Sequence, residues 1–190
     1  RSPRAVSPER AASLSAPAAG RARRVGLFVD ATDDAIAAVL AACPLDALQL
    51  HGGEAPPRVA ALRARFGLPV IKALGIGAAV DLADARAHAD IADGLLLDAK
   101  PPLGADRPGG HATAFDWSLV AGVRFRVPWL LAGGLTPGTV AQAIRATGAP
   151  GVDVSSGVES APGVKDAAKV AAFLAAARGA WGVASAPGLR

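Results

Sequence analysis

Residues 131–140 read LAGGLTPGTV and residues 151–166 read GVDVSSGVESAPGVKD. Each stretch opens as a short apolar run, passes through small residues, and leads into a helix-like segment. Two successive strand–glycine–helix units of this kind can build one phosphate site. Backbone N–H groups around Gly133–Gly134 and Ser155–Gly157 can converge on a single anion, and a helix start adds its positive dipole end. In a barrel of eight β/α units such a site follows the last two strands, on the catalytic face.

Working outward, further apolar runs stand at VGLFVD (25–30), ALQLHG (47–52), PVIKALGI (69–76), GLLLDAK (94–100), PWLLAGG (128–134) and GVDVSSG (151–157). They are nearly continuous rather than alternating, the pattern of parallel strands covered on both faces. Between them the sequence predicts helices over 33–42, 57–66, 78–88, 116–122, 137–147 and about 163–178. Thr32 before Asp33-Asp34, and Thr136 before Pro137, read as helix starts. Residues 7–19 predict a leading helix opened by Ser7-Pro8-Glu9. Repeated β–α units imply a parallel sheet. An open doubly wound sheet would carry a GxGxxG after its first strand, and none is there. The fold class is therefore α/β, a (β/α)8 TIM barrel, with strands 3–8 present and strands 1–2 largely missing. The barrel domain is expected over 1–178 and a flexible Gly/Ala/Pro-rich tail over 179–190.

The 190 residues are enough for one domain with a real core. Net charge is +4, and six arginines fall within the first 24 residues. No aromatic residues interleave with them, so a solvated segment is the reading and nucleic acid is not an expected partner. No apolar run reaches the roughly 18 residues needed to cross a bilayer. The single cysteine, Cys43, rules out an internal disulfide framework and suits a reducing cytoplasm. It sits in AACPLD at a predicted helix end and reads as a buried structural thiol.

The ordered elements SPRAV (2–6), VGLFVD (25–30), LQLHGGE (48–54), VIKALGI (70–76), LLLDAK (95–100), PGGHATAFDW (108–117), LAGGLTP (131–137) and GVDVSSGVESAPGVKD (151–166) resemble the phosphoribosylanthranilate isomerase family of tryptophan biosynthesis. The resemblance implies an Amadori rearrangement of N-(5-phosphoribosyl)anthranilate to 1-(2-carboxyphenylamino)-1-deoxyribulose 5-phosphate. An acid protonates the furanose ring oxygen, and a base then removes the C2 proton. No cofactor and no metal are implied, because the substrate's own nitrogen is the electron sink. The resemblance places the general acid on Asp98, the carboxylate partner on Arg4, a ribose contact on Asp153, and the phosphate loops on Gly133, Gly134, Ser155 and Ser156. A lone carboxyl closing an apolar strand, at a barrel's catalytic mouth, agrees with the acid role.

The family's base, a cysteine in a K-I-C-G-like motif, has no counterpart here. The expectation is an N-terminally truncated chain, inactive alone, whose complete form is a monomer or homodimer in the cytoplasm. The alternative is a non-catalytic barrel remnant that binds a phosphorylated ligand or a complementing partner chain. Two other phosphosugar barrels, indoleglycerol-phosphate synthase and ribulose-phosphate epimerase, would need a lysine acid or metal-binding histidines, and neither set is visible. His111 flanks the barrel mouth, PLGADR (102–107) resembles a mobile lid, and His88 reads as a surface residue of an Ala-rich helix.

Overall fold

The computed structural model describes residues 2–100 and 116–182. Five strands, β1 (Val25–Phe28), β2 (Ala47–Leu50), β3 (Val70–Ile76), β4 (Gly94–Ala99) and β5 (Trp129–Leu131), form one sheet in strict chain order, and every pairing is parallel. The sixth apolar run adds a single parallel bridge, Leu131 to Val152, supported by Leu131 N–H to Gly151 O and Asp153 N–H to Leu131 O. It goes no further because the chain turns away at Ser155 (φ −118°, ψ −83°).

Between the strands run α1 (Pro8–Ser15), α2 (Asp33–Ala42), α3 (Pro56–Phe66), α4 (Asp81–Ala89), α5 (Val140–Thr147) and α6 (Ala167–Trp181). Their starts follow local chemistry. Thr32 Oγ1 accepts the Ala35 N–H, Ser7 Oγ accepts that of Arg10 ahead of Pro8, and Asp166 accepts that of Lys169. Residues 117–120, expected to be helical, are one 3-10 turn. The last helix starts later than expected, because Glu159–Ala161 (β6) and Val164–Lys165 (β7) pair first as an antiparallel hairpin about Gly163 (φ +83°). It also ends later. Residues 179–181, expected to open a loose tail, are its final turn, fixed by Trp181 Nε1 donating to Ala149 O. The remainder of that expected tail, 183–190, lies outside the described residues.

Strand register sorts the side chains into two layers. Leu48, Leu50, Val70, Leu74, Leu95, Leu97 and Leu131 pack with Ile36, Val59, Leu62, Ile144 and Phe173 of the helices. The opposite face carries Ala73, Leu96 and Ala132 with Ile71 and Leu130, a cluster without a single helical residue. That is the inner lining of a curled sheet. β1 departs from the expectation of strands covered on both faces. Leu27, in register with Gln49, shares the inner face yet is 57% exposed, and Val25 is 42% exposed. Among the described residues β1 is an edge with nothing beyond it, so its inner side chains lack a lateral neighbour.

One charged residue lies wholly within the helix-facing layer. Lys72 on β3 is 1% exposed and donates to Glu54 Oε2 (2.9 Å) and Gly52 O (2.7 Å). Glu54 also accepts the N–H groups of Asp30 and Gly52. Burial pushes the Glu54 carboxyl up, but Lys72 and these amides outweigh it, and its pKa lies below the usual value. His88, expected at the surface, is buried here. Its Nε2 faces Glu54 O at 3.2 Å and its Nδ1 faces Asp84 O at 3.0 Å, because its side of α4 packs onto the loop after β2. The ion pair thus ties the carboxyl ends of β1 and β2 to the body of β3. Breaking it leaves a buried charge without its partner, so Lys72→Met should cost about 3–5 kcal/mol in urea unfolding. A loss below about 1 kcal/mol would show the pair to be dispensable.

Candidate active site

Side chains alternate across a strand, so register alone decides which residues enter the barrel interior. Asp98 pairs with Gly75 and is in phase with Leu96, which places its carboxyl on the inner face at the carboxyl end of β4. Val152 shares the outer face with Leu131, so Asp153 points inward. His51 follows Gln49 by two residues and takes the same face. Three strand ends therefore send His51, Asp98 and Asp153 into one space.

Asp98 is nearly covered, its side chain 14% exposed. Its Oδ1 accepts the Ala99 N–H at 2.8 Å, and its Oδ2 lies 3.5 Å from His51 Nε2. His51 Nδ1 lies 3.4 Å from Gln49 Nε2. The carboxyl of Asp153 is pushed above its ordinary value. Burial contributes most and the negative charge of Asp98 next, while His51 and Lys165 pull the other way. Lys100, which follows Asp98 by two residues, turns outward to Asp81 at 3.1 Å.

The two glycine loops meet beside these groups. Gly133 (φ +85°) follows β5 and lies so close to β4 that a Cβ would stand 2.7 Å from the Ala99 nitrogen. A Cβ on Gly157 would overlap the Leu135 carbonyl oxygen, so the 155–157 turn sits directly on the 133–136 turn. Among the described residues the N–H groups of Gly133, Gly134, Ser155, Ser156 and Gly157 make no hydrogen bond. Contiguous unpaired amides of this kind form an anion cradle.

Arg4 reaches the same end of the molecule from the N-terminal segment, where its guanidinium pairs with Glu159. Neither Glu159 nor this pairing had been singled out from the sequence, although Glu159 lies inside the quoted GVDVSSGVESAPGVKD stretch. Lys165, within the span expected as the last helix, precedes that helix and also bonds Glu159. Cys43 is buried, with Sγ 3.3 Å from Ser15 Oγ. It follows α2, which returns to the amino ends of the strands, so it lies at the opposite end of the sheet from Asp98. His111 and PLGADR (102–107) lie outside the described residues.

The family model for N-(5'phosphoribosyl)anthranilate (PRA) isomerase matches residues 1–176. N-(5'-phosphoribosyl)anthranilate isomerase of Rhodospirillum rubrum is 58% identical over 181 residues, covering 93% of this chain and 83% of that protein. The enzyme of Paramagnetospirillum magneticum is 56% identical, covering 94% and 83%. Among solved structures, phosphoribosyl anthranilate isomerase from Thermotoga maritima superposes with a TM-score of 0.82 at 37% identity, over 94% of this chain and 84% of that one. A phosphoribosyl anthranilate isomerase in complex with reduced 1-(o-carboxyphenylamino)-1-deoxyribulose 5-phosphate superposes at 0.79 with 35% identity. These matches lend no support to the expectations that strands 1–2 are missing and that the chain is an inactive fragment, and they do not favour a non-catalytic remnant. The inner-face carboxyls, the paired glycine loops and these likenesses agree, and the chain belongs to the N-(5'-phosphoribosyl)anthranilate isomerase family.

Proposed function

We propose that this chain catalyses the isomerisation of N-(5-phosphoribosyl)anthranilate in tryptophan biosynthesis, as a cytoplasmic monomer or homodimer. The observation that carries the reading is the meeting of His51, Asp98 and Asp153 on the inner face, beside two loops of unpaired N–H groups. A sugar phosphate seated with its phosphate on Gly133, Gly134, Ser155 and Ser156 lays its ribose toward the two carboxyls. Fixed amide dipoles hold the dianion without side-chain reorganisation.

Ring opening needs a proton on the furanose oxygen. Asp98, nearly covered at the carboxyl end of β4, supplies it as general acid. His51, at 3.5 Å, steadies the Asp98 carboxylate left behind. Asp153, whose carboxyl burial and the charge of Asp98 push above its ordinary value, faces a ribose hydroxyl. Arg4 faces the ring carboxylate. The resulting imine already conjugates its nitrogen with the anthranilate ring, so the electron pair released at C2 flows to the substrate's own nitrogen and no cofactor is required. Removal of the C2 proton is a separate step. Cys43 does not perform it, since its thiol is buried at the far end of the sheet.

Turnover of phosphoribosylanthranilate, followed by the change in anthranilate fluorescence, tests the acid. Asp98→Asn should lower kcat by roughly 10²–10⁴-fold, with binding of the reduced product little changed; an unchanged kcat would overturn the assignment. The raised pKa of Asp153 gives a second test. The native state holds this proton more tightly than the unfolded chain, so the group's contribution to stability is present in acid and lost as pH rises through the raised pKa. Asp153→Asn should therefore raise the urea midpoint at neutral pH, with a gain that shrinks as pH falls toward the usual carboxylate range. A gain independent of pH would mean that the Asp153 pKa is the same in the folded and unfolded chain.

A further inference from the structure

Arg4 does not project freely toward the site. Its Nε donates to Glu159 Oε1 at 2.8 Å and its Nη2 donates to Oε2 at 2.7 Å, a two-point contact along one edge of the guanidinium. Among the described residues Nη1 makes no hydrogen bond, so the opposite edge keeps a fork of donors for a second carboxylate.

Glu159 is built for this contact. Its side chain is 4% exposed, unusual for a charged group, and every charge around it is answered. Lys165 Nζ donates to Oε1 at 2.8 Å and Gly163 N–H donates to Oε2 at 3.2 Å, while Lys169 Nζ holds the Glu159 carbonyl at 2.8 Å. Arg4 and then Lys165 keep the carboxyl far below its ordinary range despite burial, so it stays ionised. The same Lys165 ammonium reaches the phosphate loop, donating to Ser155 O at 2.7 Å and Ser155 Oγ at 3.3 Å. The hairpin carrying Glu159 also rests on the N-terminal turn. A Cβ at Gly163 would lie 3.1 Å from Pro3 O.

We propose that Glu159 is a positioning residue for substrate recognition. It holds one edge of Arg4 so that the other meets the ring carboxylate, and through Lys165 it fixes that edge relative to the phosphate loop at Ser155. The site thereby gauges the separation between the carboxylate and the phosphate of one ligand. This rests on the roles given to Arg4 and Ser155 under the proposed function. Arg4 and Lys165 together outweigh the single carboxylate between them, so the cluster remains attractive to an anion. A group that merely clamped the two ends of the chain would serve every ligand equally. A positioning group serves only those that carry the carboxylate.

The experiment is calorimetric titration of the full chain with two probes. One is reduced 1-(o-carboxyphenylamino)-1-deoxyribulose 5-phosphate, and the other is its anilino analogue without the ring carboxylate. The unaltered chain should favour the first by roughly tenfold or more. Glu159→Gln should bring the two affinities within about threefold of each other while the anilino affinity stays within about twofold of its original value. Glu159→Asp keeps the charge but withdraws it by one methylene, and should narrow the gap in part. If Glu159→Gln fails to fold, as judged by circular dichroism, Glu159→Asp decides alone: a narrowed gap supports the proposal and an unchanged gap overturns it. A gap untouched by either variant, or an equal loss for both probes, overturns the role of Glu159 while leaving Arg4 as the carboxylate partner. Equal affinity of the unaltered chain for both probes overturns the role of Arg4, and that of Glu159 with it.

Discussion

Strands that pair in parallel and in chain order allow only one kind of connection. Each link must return from the carboxyl end of one strand to the amino end of the next, and a right-twisted strand makes that return with a fixed hand. The helices between β1 and β5 therefore gather on one face, and the other face is left to curl inward. From this follow both layers of the molecule. Leucines and valines of one parity meet the helices, and the residues of the other parity line the inside. It also follows that every strand-to-helix loop opens at the same end. His51, Asp98, Asp153 and the two glycine loops share a neighbourhood because of that topology, although the sequence separates them by as much as a hundred residues.

Within this frame polar groups are used in two different ways. Lys72 and Glu54 belong to the layer facing the helices. Their charges are answered by each other and by backbone groups of the β1–α2 and β2–α3 loops, so they brace the frame. Asp98 and Asp153 face inward and are answered incompletely. Among the described residues Asp98 Oδ2 has only His51 at 3.5 Å, and the carboxyl of Asp153 is pushed above its ordinary value by burial and by Asp98. Burial costs a charged group the same solvation in either layer. What differs is whether a partner has been placed at hydrogen-bonding distance.

Much of the frame could be read from local chemistry. VIKALGI and LLLDA are largely covered and show as nearly continuous apolar runs, and Thr32 before two aspartates marks the start of α2 to the residue. The inward placement of Asp98 needed only its position at the end of such a run. Other features depend on partners distant in sequence. The sixth run, GVDVSSG, looks as much like a strand as the others, yet the turn at Ser155 limits it to one bridge. His88 sits among alanines, aspartates and an arginine, and nothing around it signals that its face of α4 is buried on the Glu54 carbonyl. Glu159 and Lys165 stand in plain view in the quoted motif, but a motif does not say which arginine they will meet.

The pairing of Arg4 with Glu159 spans 155 positions of the chain. A contact closing so long a loop forms only after the intervening elements have brought its ends together, and it gains little from any local nucleus. During synthesis the N-terminal segment emerges first and must wait for almost the entire barrel before its arginine finds a partner. The Arg4–Glu159 pairing is thus among the last contacts to form, whereas the β3–β4 region bearing Asp98 can form from neighbouring segments alone. On the roles proposed for them, a nascent or C-terminally shortened chain would hold the acid before it could select the substrate.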